Sequence, residues 1–396
     1  MAQDKSKGSN GSKGSSGSNG KSRKLSDRVK NLFTVSSALS LLAGMPSNLA
    51  TVRKFMSAVD WRVAQEEIAG DLEGKIAILG MPNSGKSTLF NTLEGKYRSF
   101  VSSEAGATTE FVRGEFGPFA LIDTPGHLPD MQDEAVREAT AILYLIDGTE
   151  GVRPRDIEII QKLKDGEKPL VVVLNKTDAM TGDVDEIAAR AAVRLHLTDV
   201  TPISAQTGDN VAEELIPALI NTSPEAALML GRLLPEYRRK AANKVVRAAA
   251  LVSLAAGLQP IPLVDIPILL SNQVRMILRI AAIYGEPINA QHLRELVATV
   301  AGGLAMRYLA EELAKAAPFG GDLISGAIAA GGTYALGQVA TEYFERGKDL
   351  SSKQINELFN TYYRRYREER PANQPAPALP PPGDEAPVSE GVGHDA

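Results

Sequence analysis

The chain has 396 residues, length for two or three domains, and 43% of them are hydrophobic, which is ample for real cores. Its 43 Lys and Arg against 48 Asp and Glu leave a net charge of −5, so no global field favours nucleic acid and no specific nucleic-acid partner is expected. With no Cys there can be no disulfide, thiolate metal site or cysteine nucleophile, and His127, His196, His292 and His394 are too scattered to suggest zinc.

In chain order, residues 1–24 form a basic Gly/Ser/Asn/Lys stretch that cannot bury enough apolar surface to offset ordering entropy, and they are expected to be disordered. They hold no apolar leader core, so a cytoplasmic site is expected. Residues 25–73 read as helical, with Leu25, Val29, Leu32 and Phe33 on one face and Arg28 and Lys30 away from it. Such a basic amphipathic start either packs on its own domain or lies on a membrane.

Residues 75–79 (KIAIL) read as a buried strand, and Ser87, Thr88, Leu89 and Phe90 open a helical pattern. Between them, GMPNSGKS (80–87) matches the phosphate-cradling pattern GxxxxGK[ST]. Its physics is specific. Gly80 and Gly85 let the backbone curl around Asn83 and Ser84 so that successive N–H groups face phosphate oxygens at the positive end of a helix dipole. Lys86 would reach the β and γ phosphates, and Ser87 would offer its hydroxyl to Mg²⁺. The small polar run 101–110 (VSSEAGATTE) precedes a strand-like 111–116 and is the candidate γ-phosphate sensor. Thr109, directly before that strand, is chosen over Thr108 to complete Mg²⁺ coordination. Residues 119–122 are a strand candidate ending in DTPG (123–126), where Asp123 can hold Mg²⁺ through water and the Gly126 N–H can meet the γ phosphate.

Residues 141–146 and 170–174 are two further apolar runs suited to a parallel sheet, and the second delivers Asn175, Lys176, Thr177 and Asp178 at its C-terminal end. The Asp178 carboxylate can accept from N1–H and the exocyclic amine of guanine, donors that adenine lacks, while Asn175 and Lys176 support the loop and pack near the base. A site built this way rejects an analogue by about 10⁴- to 10⁵-fold. Ser204 and Ala205, after the strand-like 200–202, sit where a last guanine-contacting loop belongs.

In this order the four motifs make residues 75–221 resemble a GTPase of the Era-like, translation-factor-related class. The resemblance implies a P-loop α/β domain, mostly parallel sheet with helices on both faces, that binds GTP or GDP and hydrolyses GTP with Mg²⁺. It also implies two roles with open alternatives. His127, following DTPG, either orients the attacking water or is a solvent-facing loop residue. Asn83 matches the asparagine that holds K⁺ in potassium-activated relatives, or simply makes a loop hydrogen bond.

Beyond Pro224 the chain turns rich in Ala, Leu, Ile and Gly and reads as all-helical, with turn signals at 259–262, 285–287 and 318–321. In 272–284, Val274, Ile277, Leu278 and Ala281 share one stripe and Arg275 and Arg279 another. Residues 248–270 are apolar but carry Asp265, and an acid at a helix centre costs about 2.5–3.5 kcal/mol on insertion. Residues 323–341 lack charge and repeat small residues at Gly326, Ala330, Gly331 and Gly337. Across 248–341 the expectation is open between a tightly packed bundle and contact with, or insertion into, the inner membrane. This region resembles the domain of unknown function that follows GTPase domains in bacteria.

The expected organisation is a tail (1–24), a helical segment (25–73), the GTPase domain (74–222), an apolar helical domain (223–347), a helix (348–370) and a Pro-rich acidic tail (371–396). Two functions follow: a slow GTPase whose nucleotide controls the helical module, accelerated by an activator or a homodimer, or a scaffold that uses GTP as an assembly signal and scarcely turns over.

Overall fold

Apolar, β-branched runs buried on both faces make the centre of the sheet. β1 (Ile76–Gly80), β4 (Ala141–Asp147) and β5 (Leu170–Asn175) are buried almost throughout, as parallel strands covered by helices require. They are flanked by β2 (Glu115–Phe116), β3 (Phe119–Leu121) and β6 (Thr201–Pro202) in the order β2-β3-β1-β4-β5-β6. Only β2 runs antiparallel, at the edge; the pairs from β3 to β6 are all parallel. The chain order reverses around β1, so the loop leaving its C-terminal end opens at the crevice where ligands bind in such sheets. The α/β fold expected from the sequence is the fold observed. The structure, a computed structural model, describes residues 60–103, 115–121, 134–256, 265–289, 291–292 and 322–368. The tails at 1–24 and 371–396, and residues 25–59 of the N-terminal helical segment, lie outside the described residues.

Alternation along the strands sends side chains to two different cores. Ala77, Leu79, Ile142, Tyr144, Ile146, Val172 and Leu174 pack against α4 (Pro154–Asp165) and α5 (Val184–Leu195), once the chain has passed α1 (Trp61–Leu72), α2 (Lys86–Ser103) and α3 (Glu134–Glu138). α5 is started by Asp183, whose carboxylate accepts from the Asp185 and Glu186 N–H groups at 3.0 and 3.1 Å, and stopped by His196 at φ 52°. The opposite face, with Ile76, Ile78, Leu143, Leu145, Val171 and Val173, meets Leu89 and Leu93 of α2 and then α6 (Ile216–Thr222).

That second core does not stop at α6. It runs on through α7 (Pro224–Leu233), α8 (Arg238–Ala256), α9 (Asp265–Ile283) and α10 (Asp322–Glu345) to α11 (Ser352–Glu368). One residue separates α6 from α7: Ser223 caps α7 by accepting the Ala226 N–H at 3.1 Å, with Pro224 at the first helical position. α1 also joins this core through Ala64 and Ile68, one turn apart, so its described part packs on protein. Two salt-bridge sets fasten it. Arg275 grips Glu67 with Nε and Nη2 at 2.8 and 3.0 Å, and Arg279 reaches Asp71 at 2.9 Å and Glu225 of α7 at 2.7 Å.

The Val274, Ile277, Leu278 and Ala281 stripe of α9 is buried as expected, but Met276, Ile280, Ala282 and Ile283 are buried too, so the helix is covered on more than one side. α10 is buried nearly all round from Ala329 to Phe344. A Cβ on Gly337 would lie 2.9 Å from Met276 Sδ and also press on Val246, so its small residues serve close packing against α8 and α9. Its polar groups bond inside the bundle: Ser253 to Thr333 at 2.8 Å and Gln338 to Asn243 at 2.9 Å. Of the alternatives open for 323–341, its described part takes the packed bundle. No helix among the described residues is long and apolar enough to cross a membrane, because Gly, Thr and Gln dilute this one.

Glu342 shows how the bundle handles a buried charge. Its carboxylate accepts from Arg239 at 2.8 Å, Arg346 at 3.1 Å and the Tyr362 hydroxyl at 3.1 Å. Burial pushes the carboxyl up, but the Arg239 and Tyr362 hydrogen bonds and the Arg239 and Arg346 charges outweigh it and hold the group below the usual 4.5. A depressed folded-state value stabilises the fold above 4.5 and that contribution is lost as pH falls through the lower value. Glu342→Gln is thus expected to lower the melting temperature at pH 7. Melts repeated at lower pH should show the gap to the parent chain closing on the acid side.

Candidate nucleotide site

The site is built where three loops leave the C-terminal ends of β1, β5 and β6. The β1 loop turns on residues with left-handed backbone: Asn83 at φ 66° and Gly85 at φ 94°. A Cβ on Gly85 would collide with Asn175 Nδ2, and one on Gly80 would lie 2.5 Å from Leu145 O and 2.6 Å from Ser84 Oγ. Glycine is required at both places to let the loop lie against β4 and the β5 loop. The Leu89 N–H bonds to Gly85 O at 2.9 Å as α2 begins, leaving the first-turn N–H groups at Lys86, Ser87 and Thr88 without intrahelical acceptors. Ser87 and Thr88 are exposed there, and so is Asn83, while Ser84 is buried. Lys86 Nζ donates to Gly80 O at 2.9 Å and Met81 O at 3.2 Å, which lays the ammonium back across the loop.

Asn175 ties the three loops together. Its Nδ2 donates to Ser84 O at 2.8 Å and its Oδ1 accepts the Ala205 N–H at 2.9 Å, all of it buried. The Ser204 hydroxyl donates to Asp178 Oδ1 at 2.6 Å and accepts the Thr207 N–H at 3.1 Å. Asp178 is exposed, and its Oδ2 takes no hydrogen bond among the described residues. The carboxylate is thus held by one oxygen and offers the other, the arrangement that a donor-bearing base edge needs. Thr92 of α2 adds a further tie, donating to Ala205 O at 2.6 Å.

Lys86, Ser87, Thr88, Asn83, Ser84, Gly85, Asn175, Lys176, Asp178, Ser204 and Ala205 are thus gathered at one end of the sheet. Thr109, Asp123, Gly126 and His127 lie outside the described residues. Sequence reasoning missed Asp147 at the end of β4. Its buried carboxylate accepts Lys176 Nζ at 2.6 Å, and Lys176 itself sits at φ 68°. Burial pushes the Asp147 carboxyl up, yet the hydrogen bonds from Lys176 and Thr149 prevail and hold it below the usual 3.8. The available signal was an acid followed by glycine at the C-terminal end of the strand next to NKTD.

Comparison with known proteins agrees with this geometry. Residues 75–176 match the family described as 50S ribosome-binding GTPase, and residues 225–368 match the family described as Domain of unknown function (DUF697). Residues 75–176 are thus similar to a P-loop GTPase domain of the Era-like class and residues 225–368 to that domain of unknown function. Among its relatives are GTPase Era of Aquifex aeolicus, 36% identical over 176 residues, and GTPase Der of Geotalea daltonii, 36% identical over 169 residues. Each alignment covers 38% of this chain, and the chain spans 57% of that Era and 38% of that Der.

Proposed function

We propose that this chain binds GTP and GDP, hydrolyses GTP to GDP and phosphate, and passes the nucleotide state to its helical module. The observation that supports this best is the Asn175 interlock, in which one buried amide joins the phosphate loop to the two loops suited to a guanine base. The glycine positions at 80 and 85 form a cradle that a Cβ would fill, and the exposed Ser87 hydroxyl at the start of α2 fits a hard cation beside it. In this reading Ser87, Thr109 and Asp123 would hold Mg²⁺, which when bound would supply charge neutralisation at the phosphates. Lys86 swings from the Gly80 and Met81 carbonyls onto the phosphates. Gly126 would offer its N–H to the γ phosphate, His127 would orient the attacking water, and Asn83 would help to hold K⁺.

Coupling to the helical module is supported at both ends of the site. α1 leads directly into β1 and so to the phosphate loop, and it is clamped to α9 by Arg275 and Arg279. After the guanine loop the module takes hold again: the Tyr237 hydroxyl donates to Ala212 O at 2.6 Å and Lys244 Nζ to Asn221 O at 2.6 Å. An activator or a second copy of the chain is the expected accelerator, an effect that reaches about 10⁵-fold where a GTPase receives one.

Multiple-turnover phosphate release, with and without K⁺, tests the enzyme reading. His127→Ala is expected to bind GTP like the parent chain and hydrolyse it about 10²-fold more slowly. Normal turnover by that variant would remove His127 from the mechanism. A parent chain that binds GTP but never turns it over, with or without K⁺, would replace the enzyme by a scaffold.

A further inference from the structure

The β4–α4 loop belongs to none of the motifs that mark the site, yet it is fixed to the guanine-side loop at several points. Gly148 N–H donates to Asn175 O at 2.8 Å, and a Cβ on Gly148 would lie 2.7 Å from that oxygen and collide with Met180 Sδ. Asp147 stands one residue earlier, nearly fully buried. Its two carboxylate oxygens have separate tasks: Oδ1 accepts the Thr149 N–H at 3.0 Å and the Thr149 hydroxyl at 2.6 Å, and Oδ2 accepts Lys176 Nζ at 2.6 Å.

We propose that Asp147, oriented by Thr149, is a positioning residue for guanine nucleotide binding, because it holds the Lys176 side chain in place before the nucleotide arrives. The proposal rests on the GTP-binding reading above. A lysine has four rotatable bonds, and fixing them at the moment of binding lowers affinity. Lys176 escapes that cost because a short charge-assisted hydrogen bond to a buried acceptor already selects its rotamer. The left-handed backbone at Lys176 is a strained conformation for a residue with a Cβ, and the same ion pair helps to hold it. Asp147 touches no nucleotide in this scheme; its whole effect passes through Lys176.

The test is a double-mutant cycle on GDP affinity in the full chain, using Asp147→Asn, Lys176→Met and the two together. Asp147→Asn keeps an acceptor for Thr149 and is expected to bind GDP about tenfold more weakly, raising KM for GTP while kcat stays within about twofold. The double variant should bind no more weakly than Lys176→Met alone. Thr149→Val provides a second line should Asp147→Asn fold poorly, with an expected loss of about two- to threefold. Unchanged GDP affinity in Asp147→Asn, or losses at 147 and 176 that add, would overturn the proposal. A parent chain that fails to bind GDP overturns the functional reading itself, and this inference falls with it.

Discussion

Lys86→Ala is expected to weaken GTP binding by about 10²- to 10³-fold while leaving the fold intact. The ammonium would make charge-assisted hydrogen bonds to phosphate oxygens, each worth about 1.5–3 kcal/mol, and two of them account for that loss. Stability should change less than binding, because the bonds that Lys86 Nζ makes to Gly80 O and Met81 O are only partly buried. Fluorescent-nucleotide titration alongside a thermal melt checks both halves. A large loss of melting temperature would mean that the lysine is a structural strut rather than a phosphate ligand.

Arg279→Ala should have the largest effect on stability, about 3–5 kcal/mol, measured by urea unfolding. Arg279 lies between Asp71 and Glu225, with 20% of its side chain exposed against 17% and 31% for theirs. Burial pushes the Asp71 carboxyl above the usual 3.8, whereas in Glu225 the Arg279 charge and the hydrogen bonds at the start of α7 overcome burial and lower it below 4.5. Truncating the arginine leaves two carboxylates facing each other with no cation between them. Arg279→Met combined with Asp71→Asn and Glu225→Gln removes every charge at once and is expected to recover most of the loss. If the single and triple variants unfold alike, the destabilisation comes from lost packing and not from stranded charge.

What the sequence made legible was what local chemistry dictates. Gly80, Gly85 and Lys86 could be read because a phosphate loop admits few residue types at those places, and the strands around it because buried parallel strands are continuous apolar runs. The apolar stripe of α9 was legible from its period, but its near-complete burial was not, since periodicity reports one face and the neighbours decide the others. α10 shows the same limit more sharply. A charge-free, glycine-bearing stretch is compatible with lipid or with protein, and only Val246, Met276 and Ser253 on other helices distinguish the two. Arg275 and Arg279 were seen as a shared face, but their partners Glu67 and Asp71 lie 208 residues away in sequence, where no local pattern reaches. Asp147 escaped for a similar reason: its partner Lys176 is 29 residues on, and the contact exists only because β4 and β5 are neighbours.

The central claim is that the backbone amides at 86–88, the Lys86 ammonium and the Asp178 carboxylate converge on one guanine nucleotide. Isothermal calorimetry of the purified chain with GTP and ATP, each with Mg²⁺, tests it most directly. The account predicts a saturable single-site binding heat with GTP and none with ATP at the same concentrations. No heat with GTP, or equal affinity for the two nucleotides, would contradict it.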